Sequence, residues 1–307
     1  MKLTDIIFEQ TQKPKAIIMA GGGGAGKSYI LNQLDLSGIQ VFNPDPYVEK
    51  QGLPLSAASN ITEKEVDKAV EKRESFIWDT TAGNASKVQN IVDTGYDVAM
   101  VMVYTHPIIA LISNFERERS IPANTVLQTW MKSYSLIKDY KNMLGDNFYL
   151  VPNLRGGKYD KEIEVFNRAA QQGSKGIEQF LNSLISKDPE KYKSSFSKPF
   201  DLEDKQALQA YEKEVEDLDF DRDDEGMVKD LKKHFNSFWE REKMPPAGSM
   251  EKKVAAIKRE RQKSKDDAEK VGAFISKNLR DKDFQEMVTS GDDLEDVKSG
   301  LQSFLKY

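Results

Sequence analysis

The chain has 307 residues, 38% of them hydrophobic and 31% charged, with a formal net charge of −5, which is long enough for one large or two ordinary domains with a real core. It contains no cysteine and two histidines, His106 and His234, so disulfides, thiolate metal sites, Cys nucleophiles and a His-rich metal centre are excluded. The acidic balance disfavours a nucleic-acid binder, and no apolar run approaches the roughly 20 residues of a bilayer span, so a cytoplasmic protein without a membrane anchor is expected.

Residues Met1 to Pro14 can form a short leading helix that Pro14 stops. Lys15 to Ile30 then reads KAIIMAGGGGAGKSYI, an apolar strand that breaks into glycines and reopens as a helix. Gly21, Gly26, Lys27 and Ser28 satisfy G-x-x-x-x-G-K-[ST], the phosphate-binding P-loop pattern. Glycines let successive backbone N–H groups close around phosphate oxygens at a helix N-terminus. The nucleotide-binding set is therefore Gly21, Gly22, Gly23, Gly24, Ala25, Gly26, Lys27, Ser28 and Tyr29. Lys27 would reach the β- and γ-phosphates, and the Ser28 hydroxyl would coordinate Mg²⁺.

A brief second strand, Gly38 to Phe42, runs into Asn43-Pro44-Asp45-Pro46-Tyr47, where two prolines forbid regular pairing and place Asp45 in a loop past the strand end. Asp45 can accept a proton from a phosphoryl acceptor, or simply bond its own backbone in a turn. Thr62 with Glu65 forms a capping box that starts a charged helix running to about Arg73. The third strand, Ser75 to Thr81, ends in Asp79. A carboxylate there is placed to hold Mg²⁺, with a helix cap as the alternative.

Tyr96 to Tyr104 is continuously apolar, as a central parallel strand should be, and its methionines and the following His106 are expected to be structural. Pro107 to Ser120 follows as a helix with a polar end that carries Arg117 and Arg119. These two can offset charge on a transferred phosphoryl group, or pair with Glu116 and Glu118 at the surface. Pro122 to Leu144 reads as one long helix, Asn147 to Val151 as the fifth strand, and Asn153 falls at its C-terminal end.

Strands alternating with helices predict an α/β fold: a P-loop kinase core with a five-stranded, mostly parallel sheet flanked by helices. A helix from about Lys161 to Ile185 can still pack on that sheet, and Lys187 to Pro199 looks like a linker. Residues 200–307 show charge-rich helical patterns broken at Asp221 to Gly226, Pro245 to Gly248 and Gly291. Two domains are thus expected, a nucleotide kinase-like domain over 1–187 and an α-helical C-terminal module over 200–307.

In this order, GGGGAGKS, FNPDPY, FIWDTT, YDVAMVMVY and FERERSIPANTV resemble the zeta-toxin-like branch of P-loop kinases, over about Ala16 to Asn153. The resemblance implies phosphorylation of a small-molecule hydroxyl by ATP or GTP with Mg²⁺. Toxins of that type phosphorylate a UDP-linked amino sugar, using a P-loop Lys, an Asp base after the second strand, and lid arginines. Those roles correspond to Lys27, Asp45, and Arg117 with Arg119, and Asn153 to a polar residue near the adenine. Where such sequences commonly carry an Arg after the base Asp, Pro46-Tyr47-Val48 stands here, and residues 200–307 lie beyond the resemblance. Two alternatives stay open: a polynucleotide 5′-hydroxyl kinase, which needs a basic groove, and an ATP-binding interaction protein whose C-terminal helices hold a partner protein.

Overall fold

A computed structural model describes residues 13–49, 51, 53, 55–116, 121, 123–187 and 250–306. The leading helix expected before Pro14, the linker after Lys187, the breaks at 221–226 and 245–248, and both Arg117 and Arg119 lie outside the described residues. Five strands, β1 Lys15–Ala20, β2 Gln40–Phe42, β3 Phe76–Asp79, β4 Asp97–Tyr104 and β5 Phe148–Pro152, form one sheet in the order β2-β3-β1-β4-β5. Every pairing is parallel. The helices in chain order are α1 Lys27–Gln33, α2 Asp45–Glu49, α3 Leu55–Glu71, α4 Ala85–Asp93, α5 Pro107–Phe115, α6 Ala123–Tyr134, α7 Ile137–Leu144, α8 Asp160–Gln171, α9 Ser174–Lys187, α10 Met250–Arg280, α11 Lys282–Thr289 and α12 Leu294–Lys306. None among the described residues is long and apolar enough to cross a membrane.

β1, β3 and β4 are apolar without alternation because helices cover both faces of the sheet there. Side chains still alternate between those faces. Ala16, Ile18 and Ala20 of β1 join Val98, Met100, Met102 and Tyr104 of β4 in one layer, with Trp130, Tyr134 and Phe166 from α6 and α8. Ile17 and Met19 join Ala99, Val101 and Val103 in the other, against Ile30 and Leu34 around α1.

The C-terminal helices complete both layers. Ile275, Phe284 and Val288 of α10 and α11 enter the first, while Val297 and Leu301 of α12, both 0% exposed, enter the second. Burying two such aliphatic side chains is worth about 3–6 kcal/mol. Between α11 and α12 the chain crosses the outer edge of β5, where Asp292 N donates to Leu150 O at 2.7 Å and Asp292 Oδ2 accepts from Leu150 N at 2.6 Å. Gly291 makes this crossing feasible, since a Cβ there would overlap the Leu150 carbonyl.

The described residues of 1–42, 66–197 and 268–307 accordingly form one compact unit, and those of 43–65 and 198–267 form another. The last forty residues finish the core of the sheet, and α3 and α10 each contribute residues to both units.

Several local expectations are corrected. The helix around Thr62 begins at Leu55, and Thr62 is a buried interior residue whose Oγ1 donates to Ala58 O at 2.9 Å. The S/T-x-x-E pattern caps only where the backbone N–H groups are otherwise orphaned, and the upstream turn already satisfies them here. Asn43 to Tyr47 is not wholly a loop. Asp45 opens the short helix α2, its amide donating to Asn43 Oδ1 at 2.8 Å, and Pro46 is tolerated because a first-turn residue needs no N–H donor. The long helix expected over 122–144 is two helices separated by Ser135 and Leu136. The one expected over 161–185 breaks at Gly173, whose φ is +78°.

His106 is structural, as expected. Its Nδ1 accepts from Ile108 N at the start of α5, and its Nε2 faces Asn167 Oδ1 at 2.9 Å. Burial pushes its pKa down to about 4.

Candidate nucleotide-binding site

Residues 21–26 cross the C-terminal edge of the sheet from its central strand, β1, to α1. In a parallel sheet that edge, at the strand whose neighbours run on in opposite directions, is where ligands bind. Gly21, Gly24 and Gly26 have φ of +140°, +79° and +89°. Gly26, immediately before α1, is left-handed and makes no side-chain cap, so the first-turn N–H groups of α1 remain directed at the loop's mouth. A Cβ at Gly26 would also overlap Asn153 Nδ2, which makes a side chain there unacceptable on two counts.

The Lys27 ammonium is held inside this loop. Its Nζ donates to Gly21 O at 3.2 Å and lies 3.6 Å from Asp79 Oδ1. Asp79 is the last residue of β3 and is 5% exposed. The parallel register that sets Met19 beside Asp79 brings the two together, and Thr80 N continues the ladder by donating to Met19 O at 2.9 Å. A buried carboxylate is costly unless a charge or hydrogen bond meets it, and Lys27 meets it. Ser28 and Tyr29 are exposed on the opening turn of α1.

A second tier holds the loop in place. Thr129 of α6 accepts from Gly23 N at 3.1 Å while donating to Val126 O at 2.8 Å. Ser133, one turn on, donates to Thr81 O at 2.6 Å just past Asp79. Asn153, 8% exposed, donates from Nδ2 to Ala25 O at 2.8 Å, and its own backbone is tied to Tyr104 and Thr105 at the end of β4. Asn153 is thus brought to the P-loop, in contact with the loop's own backbone.

Beside Asn153 opens a cleft of about 530 Å³, lined among others by Tyr29, Glu116, Arg155, Lys158 and Tyr159. The Tyr159 hydroxyl donates to Glu116, 3.2 Å from Oε1, and Lys158 Nζ lies 4.8 Å from the centre of the Tyr159 ring. A hydrogen bond with the Tyr159 hydroxyl, followed by the charges of Tyr159 and Glu116, raises the Lys158 pKa. Sequence reasoning missed this cleft and Thr129. Gly156 and Gly157, four and five residues past the end of β5, read in sequence only as a break, although a glycine pair shortly after a strand's C-terminal end is itself a signal for a tight loop on the ligand edge.

Lys27, Ser28, Asp79 and Asn153 therefore share one compact unit with the glycine loop, while Asp45 belongs to the other. Among the described residues no three His, Cys, Asp or Glu side chains could enclose a metal. One carboxylate and one hydroxyl suit Mg²⁺ that arrives with nucleotide phosphates, because that ion keeps most of its ligands as phosphate and water oxygens.

A family model described as Zeta toxin matches residues 2–47, the stretch that holds the P-loop and Asp45. No curated protein matches the sequence significantly. Among solved structures, the chain is similar to one from the PezAT chromosomal toxin-antitoxin system of the human pathogen Streptococcus pneumoniae, 16% identical, with 50% of this chain and 76% of that one covered and a TM-score of 0.35. It is also similar to one from the AvrRxo1-ORF1:-ORF2 complex, 9% identical, with 79% and 83% covered and a TM-score of 0.38. In the segment where its glycine loop leaves the central strand, the chain is zeta-toxin-like.

Proposed function

We propose that the chain is a Mg²⁺-dependent phosphotransferase that moves the γ-phosphoryl group of ATP or GTP to a hydroxyl of a small molecule, with a nucleotide sugar as the first candidate acceptor. The observation that carries this is the Lys27 ammonium held between Gly21 O and the buried Asp79 carboxylate at the mouth of an uncapped helix. A cation fixed there is ready to turn onto the β- and γ-phosphates, at little reorganisation cost. Ser28 and Asp79 would hold Mg²⁺, which would supply positive charge to the nucleotide phosphates.

Asp45 is assigned as the base that accepts the acceptor's hydroxyl proton as the oxygen attacks the γ-phosphorus and the bond to the β-phosphate oxygen breaks. Arg117 and Arg119 are assigned to the charge on the transferred group. Both assignments rest on the resemblance and on chain order.

The test is transfer from γ-labelled ATP and GTP to candidate acceptors. Label on a sugar nucleotide is the expected result. Label on an oligonucleotide 5′ end would replace the small-molecule reading with a polynucleotide kinase, and nucleotide binding without transfer to any acceptor would favour an interaction protein. The protein would be expected to act wherever such acceptors are free, the cytoplasm first.

A further inference from the structure

We infer that Arg155 is a phosphate-binding residue of the nucleotide site, a role that rests on the nucleotide reading above. Among the described residues, four that are not glycine have positive φ: Asp35, Arg73, Ala82 and Arg155. Asp35 and Arg73 each follow the end of a helix, where a left-handed residue is ordinary. Ala82 and Arg155 instead follow the C-terminal ends of β3 and β5, the two strands that deliver Asp79 and Asn153 to the P-loop. Left-handed backbone is strained for a branched or long side chain, and such strain persists where the surroundings over-determine it.

At Arg155, with φ +56° and two more left-handed residues after it, Gly156 at +58° and Gly157 at +81°, the turn carries the side chain back to the P-loop. Its guanidinium Nη2 lies 3.4 Å from where a Cβ on Gly26 would stand. It therefore abuts the residue before Lys27, and it lines the cleft that also takes Tyr29 and Asn153. A nucleotide with its terminal phosphates at Lys27 leads its inner phosphate and sugar past Gly26 and Tyr29 into that cleft. A planar, permanently charged fork beside that path suits phosphate oxygens.

Arg155→Gly separates the strain from the charge, because glycine adopts the same backbone freely. The intact chain and this variant are compared by thermal melting and by calorimetric titration with ATP. The expected result is an unchanged or higher Tm together with ATP affinity weakened about ten- to a hundredfold, and partial recovery of affinity in Arg155→Lys. A higher Tm with unchanged affinity would make Arg155 a strained turn residue and overturn the assignment alone. Failure of the wild-type chain itself to bind either ATP or GTP would overturn the nucleotide reading and the assignment with it.

Discussion

The glycine loop between β1 and α1 and the C-terminal helices α11 and α12 both complete the same sheet, by opposite means. The loop is specified by neighbours in sequence: a strand, glycines that tolerate left-handed backbone, and a helix that starts without a cap. The C-terminal helices are specified by what they cover, with Phe284 and Val288 in one core layer and Val297 and Leu301 in the other. Local chemistry produces a recognisable motif, whereas long-range packing produces amphipathic helices that look like any others. A loop motif can therefore be read from a sequence that gives no sign of which core layer a distant helix enters.

The strongest way to break this comparison is to remove one side of it. A chain ending near Lys187 loses Ile275, Phe284, Val288, Val297 and Leu301 from the core and bares the outer edge of β5, so it should be insoluble or unfolded in sedimentation and circular dichroism. A soluble, ATP-binding fragment would show that the C-terminal helices only decorate a self-sufficient sheet.

On the other side, Asp45→Asn should lower the turnover number on the identified acceptor by about 10² to 10⁴ with little change in ATP affinity. Full activity in that variant would return Asp45 to the helix-opening role seen in α2. Leu301→Ala should cost about 2–5 kcal/mol in urea unfolding while leaving the nucleotide affinity of the folded protein unaltered. Lost affinity in that variant, under conditions where it is fully folded, would mean that the two regions are not energetically separate.

The smallest effect comes from His106. Its folded-state pKa, lowered by burial to about 4, lies below the ordinary value near 6.5, so between those values the unfolded chain binds a proton that the folded chain refuses. Stability should fall as pH drops from about 6.5 to about 4, by about 3 kcal/mol in full, and His106 should add nothing further below that. His106→Asn, which can still cap α5, should flatten this part of the pH profile in urea titrations.

All five strands and their parallel sense were legible, because each is a short apolar run followed by glycine, proline or a polar end. The places of Lys27 and Asp79 were legible too, one set by its motif and one by its position at a strand's end. Thr62 misled because a capping pattern does not reveal whether the preceding turn is already helical. The break at Gly173 was open to view but had nothing local to outweigh the amphipathic pattern running through it. The role of Asp292 was invisible, because its partner Leu150 lies far back in the chain and an Asp after a glycine reads as an ordinary turn. Arg155 was hidden likewise, since its strain exists only in the folded backbone.

The seam between Asp292 and Leu150 also sets a clock. The two residues are 142 positions apart, and a ribosome adding 5–20 residues per second would need roughly 7–28 s to reach the second after making the first. Throughout that interval a nascent chain holds β5 with its outer edge unpaired, a template for pairing with other strands. Slower translation across residues 153–291 would lengthen the exposure, and the yield of soluble protein should depend on elongation rate in that stretch more than in the first 150 codons.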